Sequence, residues 1–433
     1  MSSGGKVVDL VAKGADGQLK RRPKSGAIKW PRVYPDDHPR AGKPVSCLEN
    51  TKAMLDHYGS VVSFNLMTHR GEIDVGVHLE GVAAERRMNA AQAQIRIWAR
   101  QHGLSAGKAL DDHIEILIST RSYHPVADWI RSKPWDGVDR ITDLFNSLTL
   151  EPAYAREHSA HALRLLTAWL VTGALAALLP ATAREGIAAQ GVLVLQGEQG
   201  TGKTRWIMSL VPPGNGWAQE SVLIDPTSRD SREAATKCWL SEIGEVDATF
   251  RKADIAALKG FLTQRVDTYR KAYDRAPEDI ARRTFFVASV NPRQFLVDDT
   301  GSRRYWTIAT TRCNPHHGID LQQLWAQAAS LAESDPDLAW LDEAEAAHLQ
   351  ATNVTFDAVD PIWESLTRTY ETTEDDVWCS LDDIKAGVDS QRNWSVSDAR
   401  HLARLLKSKL KARSRILHGY TLYAVIRWTS GPN

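Results

Sequence analysis

The sequence predicts an α/β protein whose central domain contains a parallel β-sheet covered by helices. Three observations support this prediction. A glycine-rich loop follows a short apolar segment, Val192–Leu195, and precedes an apolar helix. Downstream, short apolar segments alternate with helical ones, which is the pattern of a parallel sheet. The flanking regions have other patterns, and 433 residues leave room for two or three domains.

The glycine-rich loop has the sequence GEQGTGKT and fits the pattern G-x-x-x-x-G-K-[ST]. Its glycines allow backbone N–H groups to point toward phosphate oxygens. We expect Lys203 to reach the β- and γ-phosphates of a nucleoside triphosphate and the Thr204 hydroxyl to ligate Mg²⁺, while the following helix adds its positive end. A chance glycine-rich turn is the alternative, and the order strand, loop, helix argues against it. The predicted nucleotide-binding residues are Gly197, Glu198, Gln199, Gly200, Thr201, Gly202, Lys203, Thr204 and Arg205.

Composition and periodicity divide the chain into five predicted segments. Residues 1–45 form a basic flexible arm, 46–185 a mostly helical N-terminal domain, 186–312 the nucleotide-binding core, 313–359 a helical connector and 360–433 a C-terminal domain. The last segment reads as helix, turn, helix and β-segment, which is the outline of a winged helix. Its longer helix begins at Ser395, with Asp398 three residues on, as in a capping box.

Charge and cysteine content restrict the partners and the compartment. The net charge is zero, so only the local distribution argues for a polyanion: the two ends are basic, and residues 330–385 are acidic. The four cysteines form no CxxC pair, which favours a reducing compartment and argues against zinc. The apolar segment Leu163–Leu179 is too short to cross a bilayer comfortably and is expected to be a buried helix. We therefore expect a cytoplasmic protein without a membrane partner.

A carboxylate that binds Mg²⁺ or orients water is expected at a strand end beside the loop. Cys238–Ile243 is predicted to be such a strand; it contains Glu242, and Glu245 follows closely. Ser241 precedes Glu242, so the usual hydrophobic-Asp-Glu arrangement is absent. Glu242 is the predicted principal acid and metal ligand, and Glu245 has a supporting or structural role. The alternative is that both are surface glutamates at a strand end.

A third polar position follows the predicted strand Phe285–Val290. There Asn291 can sense the γ-phosphate and position water, as the polar end of a buried strand. An asparagine before a proline is also a common turn former. Its place after the loop and the acid favours the catalytic interpretation.

Arg303 and Arg304 precede the predicted strand Tyr305–Ile308. An arginine after a tight turn can be presented to the nucleotide of a neighbouring subunit as an arginine finger, and either of the two can fill that role. Alternatively, both are surface arginines bonded to Asp298 or Asp299.

Aromatic and basic residues alternate in residues 267–275, and Arg282 and Arg283 follow. This composition suits a loop that contacts nucleic-acid bases and backbone. The alternative is a solvated charged surface. The predicted DNA-binding residues are Arg270, Lys271, Tyr273 and Arg275.

With these motifs in this order, the chain resembles the virulence-associated protein E family. These phage- and plasmid-type proteins are related to the helicase half of primase-helicases, in the superfamily 3 branch of AAA+ ATPases. The resemblance covers roughly residues 110–310 and rests on SYHPVADWI, PWDGVDR, GEQGTGKT, WLSEIGE, LKGFLTQRVDTYRKAYDR, FFVASVNP and DTGSRRYW.

The resemblance implies an AAA+ P-loop NTPase core, a hexameric ring with ATP at the subunit interfaces and a pore hairpin that grips one DNA strand. It places Lys203 and Thr204 in the phosphate loop and Glu242 in the second motif. It also places Asn291 in the third motif and Arg303 or Arg304 at the finger. Lys271 and Arg275 fall in the region of the pore hairpin.

The predicted function is that of an ATP-driven DNA helicase or replication-initiation ATPase of phage or plasmid type. It would act on single-stranded or forked DNA in the bacterial host cytoplasm, with a separate primase or replication initiator as a candidate partner. Many relatives carry a primase domain, but the residues before the matching region lack zinc-binding cysteines and an acidic triad, so primase activity is not expected. The alternative is a non-helicase AAA+ switch in phage defence or regulation that binds proteins. A small-molecule kinase is disfavoured because the Arg-Arg strand and the terminal winged segment have no role in it.

Overall fold

The computed structural model describes residues 26–76, 81–83, 86–187, 189–225, 228–244, 260–269, 278–291, 293–296, 302–357 and 361–428. The chain forms two compact units. The first comprises Met1–Pro292 and Gly301–Ala351, and the second comprises Arg293–Thr300 and Thr352–Asn433.

The first unit begins with helices around a small sheet. Its elements are α1 (Leu48–His57), β1 (Val61–Asn65), β2 (Arg70–Asp74), α2 (Arg87–Gln101), α3 (Lys108–Ser119) and β3 (Ser122–Tyr123). β1 pairs antiparallel with β2 and parallel with β3. The helices bury apolar side chains against this sheet, among them Met54, Ile95 and Leu110. β1 and β2 therefore form a hairpin within a largely helical region.

Among the described residues of the first unit, six strands form the central sheet, in the order β4-β11-β5-β10-β7-β6. They are β4 (Leu148–Leu150), β5 (Val192–Gln196), β6 (Ala218–Val222), β7 (Leu240–Ile243), β10 (Phe285–Val290) and β11 (Tyr305–Cys313). Five are parallel, but β4 pairs antiparallel with β11. The five parallel strands agree with the parallel sheet predicted for residues 186–312. β4 lies outside that segment and adds an antiparallel edge that the sequence did not indicate, because three residues before a long helix carry no strand pattern of their own.

Helices cover the central sheet and bury apolar side chains against it. α4 (Pro125–Ile130), α5 (Arg140–Asn146) and α6 (Pro152–Leu178) precede β5, and α7 (Lys203–Met208) and α8 (Arg229–Thr236) follow it. α9 (Leu321–Ser334), a 3₁₀ turn (Pro336–Ala339) and α10 (Glu343–Asn353) follow β11. α6 is long and apolar enough to cross a membrane, yet 67% of its most apolar window is buried inside the protein, as expected for a core helix.

Buried tryptophans connect the helices to the sheet by hydrogen bonds as well as by packing. Trp169 of α6 donates to the Phe286 carbonyl (2.7 Å), and Trp239 donates to the Gly173 carbonyl of α6 (2.9 Å). Because a buried indole N–H needs an acceptor, these bonds orient α6 on the sheet as well as filling its core.

A two-stranded antiparallel ribbon stands apart from the central sheet. It consists of β8 (Val266–Tyr269) and β9 (Glu278–Ala281), with Val266 opposite Ala281 and Tyr269 opposite Glu278. The two strands flank residues 270–277 in the sequence.

In its described part, the second unit combines three helices with short strands. Its elements are a 3₁₀ turn (Val354–Phe356), α11 (Pro361–Thr369), β12 (Tyr370–Thr372), β13 (Cys379–Ser380), α12 (Leu381–Val388), α13 (Val396–Ser408), β14 (Ser414–Leu417), β15 (Tyr420–Tyr423) and β16 (Val425–Arg427). The strands pair antiparallel in the orders β13-β15-β14 and β12-β16. Ser395 and Asp398 form the predicted capping box at the start of α13.

Candidate active site

The glycine-rich loop lies at the carboxyl end of β5, which is buried along its whole length, and leads directly into α7. The chain runs from β5 to strands on one side and returns to β11 on the other. In such sheets ligands bind where the strand order reverses. Gly202 has φ +92°, and a Cβ atom there would lie 2.5 Å from the Cys313 carbonyl oxygen, so both conformation and space require glycine. The loop residue Thr201 accepts a hydrogen bond from the Cys313 N–H (2.8 Å).

Lys203 is only 6% exposed, and its ammonium group contacts the loop itself. It donates to the carbonyl oxygens of Gly197 and Glu198 at 2.7 Å each and to Oδ1 of Asn291 at 3.0 Å. Burial lowers the pKa of the Lys203 amine from its ordinary value, and the nearby charge of Glu242 opposes this shift. The loop, α7 and the end of β10 therefore meet at this one cation.

A hydroxyl–carboxylate cluster lies next to the lysine. The hydroxyls of Thr204 and Ser289 each donate to Oε1 of Glu242 at 2.7 Å. Glu242 is 1% exposed, and its Oε2 has no hydrogen-bond partner among the described residues. A buried carboxylate oxygen without a partner is costly unless a cation approaches it.

The hydroxyl and carboxylate oxygens of this cluster suit a magnesium ion that is also bound by phosphates and water, and not a metal ion bound only by protein side chains. Among the described residues, no group of three or more His, Cys, Asp or Glu side chains can hold a metal. Mg²⁺ prefers oxygen ligands and is usually held by one or two protein oxygens together with phosphates and water. The Thr204 hydroxyl and the unpartnered oxygen of Glu242 match that donor set.

Asn291 lies at the carboxyl ends of the parallel strands, whereas Arg303 and Arg304 lie at their amino ends. Asn291 directly follows β10, whose last residue, Val290, pairs with Gln196 at the carboxyl end of β5. Arg303 and Arg304 form a 3₁₀ turn just before Tyr305, which pairs with Val192 at the amino end of β5. With about 3.3 Å per residue, the length of β5, roughly 13 Å, separates the arginines from the loop. Arg303 is exposed and Arg304 is half-buried.

Several predicted residues lie outside the part of the chain that the structure describes. They are Glu245, Arg270, Lys271, Tyr273, Arg275, Asp298 and Asp299. Among the described loop residues, Glu198, Gln199 and Gly200 are exposed, as is Arg205 on α7.

Arg282 and Arg283 are not part of a nucleic-acid surface, which corrects the interpretation of this basic run. Arg282 forms an ion pair with Asp267 in which both side chains are 2% exposed, and it also donates to the Phe261 carbonyl. Arg283 is 5% exposed and donates to the carbonyls of Leu179 (2.5 Å) and Pro180 (2.8 Å). Arg282 therefore stabilises the start of the β8–β9 ribbon, and Arg283 stabilises the residues that directly follow α6.

Ser289 is a site residue that the sequence reasoning missed. It lies in β10, opposite Leu195 of β5, and its hydroxyl shares Oε1 of Glu242 with Thr204. A polar residue two positions before Asn291, in an otherwise apolar strand, was the available signal.

A polar cavity of about 640 Å³ lies beside α7, on the β11 side of the loop. Trp206 donates to the Ser147 hydroxyl (2.7 Å), and Ser209 is hydrogen-bonded to Nε2 of His317 (3.1 Å). The Ile319 N–H donates to Nδ1 of His317, so this ring is neutral with its proton on Nε2. The residues with polar side chains that line the cavity include Arg140, Asp143, Asn146, Asn314, His317 and Asp320.

The fold and the site define an α/β protein with a lysine-bearing glycine loop and a buried carboxylate at the carboxyl edge of its sheet. The sequence model of the virulence-associated protein E-like domain matches residues 130–358, more than half of the chain. The chain belongs to the virulence-associated protein E-like family, as the motifs predicted.

No curated protein matches the sequence. Among solved structures, the apo structure of the NrS-1 C terminal region (305-718) is similar at 13% identity and a TM-score of 0.43, covering 87% of this chain and 98% of that one. The A form apo structure of the same region has 12% identity, the same coverage and a TM-score of 0.41.

Proposed function

We propose that the protein is a DNA helicase or replication-initiation ATPase of phage or plasmid type that hydrolyses ATP with Mg²⁺. The observation that carries this proposal is the buried Glu242 carboxylate, held by the Thr204 hydroxyl beside Lys203, with one oxygen unpartnered among the described residues. Membership of the virulence-associated protein E-like family supports a helicase-like, replication-associated role.

Each residue of the site has a role that follows from its chemistry. The loop N–H groups and Lys203 bind the phosphates. Thr204 and Glu242 would hold Mg²⁺, which when bound neutralises phosphate charge. Glu242 and Asn291 orient the attacking water, since both present oxygens at the carboxyl edge of the sheet.

The nucleoside end of ATP fits the polar cavity beside α7. Asp143 and Asp320 in its lining repel phosphate and accept hydrogen bonds from ribose hydroxyls or from the amino group of a base. The charge of Arg140, which also lines the cavity, is paired with Asp136 (2.6 Å), so the two carboxylates on one side of the loop and Lys203 on the other orient the nucleotide.

We also propose how the domains and subunits assemble around DNA. The parallel strands of the central sheet would be an AAA+ P-loop core and the second unit a winged helix. Subunits would form a hexameric ring in which Arg303 or Arg304 reaches the neighbour's nucleotide. Arg270, Lys271, Tyr273 and Arg275 would grip single-stranded or forked DNA in the bacterial host cytoplasm, with a separate primase or replication initiator as a candidate partner.

A protein-binding AAA+ switch in phage defence or regulation is the second candidate. Two observations favour it: the net charge is zero, and the burial of Arg282 and Arg283 removes two cations from the expected DNA surface.

Phosphate release and unwinding distinguish the two candidates. We expect ATP hydrolysis that is stimulated by single-stranded DNA, together with unwinding of a tailed duplex. Glu242→Gln should lower hydrolysis by at least about 10²-fold while nucleotide binding persists. Glu220→Gln, on an exposed side chain of β6, is the matched control. Hydrolysis indifferent to DNA would favour the switch, and full activity of Glu242→Gln would refute the active site.

A further inference from the structure

Charges are segregated along the second unit. Residues 361–395 contain eight aspartates and glutamates and three lysines and arginines. Residues 396–428 contain eight lysines and arginines and a single acidic residue, Asp398. The net charge of zero for the whole chain hides this positive segment, which favours a polyanionic partner if its side chains share a surface.

Three of these cations lie on one face of α13. Arg400, Arg404 and Lys407 follow one another at spacings of four and three residues, which places them on the same side of a helix, and all three are exposed. None of them forms an ion pair with a residue that the structure describes. The opposite face packs into the core of the unit through Leu402, Leu405 and Leu406. We call the three cations the α13 face.

Five residues separate the end of α13 from an exposed hairpin. Every residue of β14 is exposed, and β14 is an edge strand of its sheet. His418 and Gly419 connect it to β15 with φ values of 50° and 84°, as in a tight type I′ turn. Near this turn, Ile416 is 77% exposed and Tyr420 is 71% exposed. An exposed edge with large apolar side chains is a surface that a partner covers.

We propose that the α13 face and the β14–β15 hairpin bind duplex DNA. A helix fits the major groove, where Arg400, Arg404 and Lys407 neutralise phosphates. The exposed apolar side chains of the hairpin suit the walls of the minor groove, where such residues contact or wedge between base steps. Single strands are bound by aromatic surfaces next to cations. The α13 face carries no aromatic residue, and the hairpin strands offer one strongly exposed ring, Tyr420, because Tyr423 is buried. Successive bases of a single strand stack on a series of such rings, so these described residues favour a duplex.

This surface goes beyond the proposed function, which assigns a single strand to Arg270, Lys271, Tyr273 and Arg275. It gives the protein a means of engaging a duplex before any strand is separated. Binding to it requires neither ATP nor hydrolysis.

The experiment measures fluorescence anisotropy of the full chain without nucleotide, on a labelled duplex and on a single strand of the same length, over a range of salt. The triple variant Arg400→Ala, Arg404→Ala and Lys407→Ala should weaken duplex binding at least about tenfold. Its slope of log affinity against log salt should be smaller by about 2 to 3, since each phosphate contact contributes about 0.9. Single-strand binding should change little. The matched control, Arg87→Ala, Arg100→Ala and Lys108→Ala, removes three exposed cations of α2 and α3 and should bind the duplex as the unaltered chain does.

The charge-conserving variant Arg400→Lys, Arg404→Lys and Lys407→Arg should keep most of the affinity and the full slope. Circular dichroism of each variant checks that the second unit remains folded. Unchanged duplex affinity and slope in the alanine variant would overturn the proposal and leave a protein as the occupant of this surface. An equal loss of single-strand binding would overturn it as well. Because no nucleotide is present, failure of the proposed ATPase leaves this result interpretable.

Discussion

Asn291 accepts a hydrogen bond from the Lys203 ammonium across 3.0 Å, so the end of β10 and the start of α7 contact each other through catalytic candidates. The same ammonium also donates hydrogen bonds to the carbonyl oxygens of Gly197 and Glu198. Phosphate binding must compete with these three acceptors. The loop is therefore coupled to the strand that positions water.

Asn291→Ala removes that acceptor and, with it, the proposed water-positioning amide. We expect kcat for ATP hydrolysis to fall about 10²-fold, while KM stays the same or falls, because Lys203 loses a competitor for phosphate. Steady-state phosphate release over a range of ATP concentrations checks this. Arg293→Ala, two residues further on at an exposed position, serves as the control. A rise in KM without a change in kcat would show that Asn291 acts in binding instead.

The buried ion pair between Asp267 and Arg282 should stabilise the first unit, so removing one partner should lower the free energy of unfolding. Arg282→Ala leaves the Asp267 carboxylate charged and buried without its guanidinium partner, so we expect a loss of about 3–5 kcal/mol in the free energy of unfolding. Urea denaturation measures the loss. Arg265→Ala, which breaks an exposed pair with Glu185, should cost less than about 1 kcal/mol. A loss of DNA binding without a loss of stability would contradict the structural role of Arg282.

Features of the site formed by contiguous residues could be predicted from the sequence, and contacts between distant residues could not. The phosphate loop depends on local backbone chemistry, so contiguous residues such as Gly202 and Lys203 reveal it. The pairing of Asp267 with Arg282 depends instead on the register of β8 against β9, across fifteen residues, and their neighbours look like a solvated basic run. Ser289 approaches Glu242 only because β10 and β7 are adjacent in the sheet. β4 is too short for a periodic pattern, so its antiparallel edge position appears only in three dimensions.

His124 should make stability depend on pH. Burial, together with the charge of Arg283, lowers the pKa of His124 to about 3. The unfolded chain, with a pKa near 6.5, therefore binds a proton that the folded protein does not bind between these values, and stability falls as the pH drops below 6.5. From pH 7 to pH 5 this one group should cost about 2 kcal/mol.

The variant His124→Asn tests this origin. Nδ1 of His124 caps α4 by accepting from the Ala127 N–H, and asparagine is also a good N-cap. We therefore expect the variant to fold and to lose less stability than the unaltered chain between pH 7 and pH 5, as measured by urea denaturation at both values. His316→Asn changes an exposed histidine and is the control. An identical pH dependence in the unaltered chain and His124→Asn would assign the effect to other groups.

The position of Arg303 at the amino edge of the sheet makes the arginine finger testable by mixing subunits. Because the length of β5 separates this arginine from the loop in one chain, it can serve only the nucleotide of another subunit. Lys203→Ala and Arg303→Ala should each abolish most hydrolysis when pure. In an equal mixture, a subunit with an intact Lys203 can receive Arg303 from its neighbour at about a quarter of the interfaces of a ring. Phosphate release should therefore rise well above that of either pure variant, and the same mixture with Arg304→Ala in place of Arg303→Ala identifies which arginine acts. A mixture no more active than its components would place the finger elsewhere or exclude a shared site.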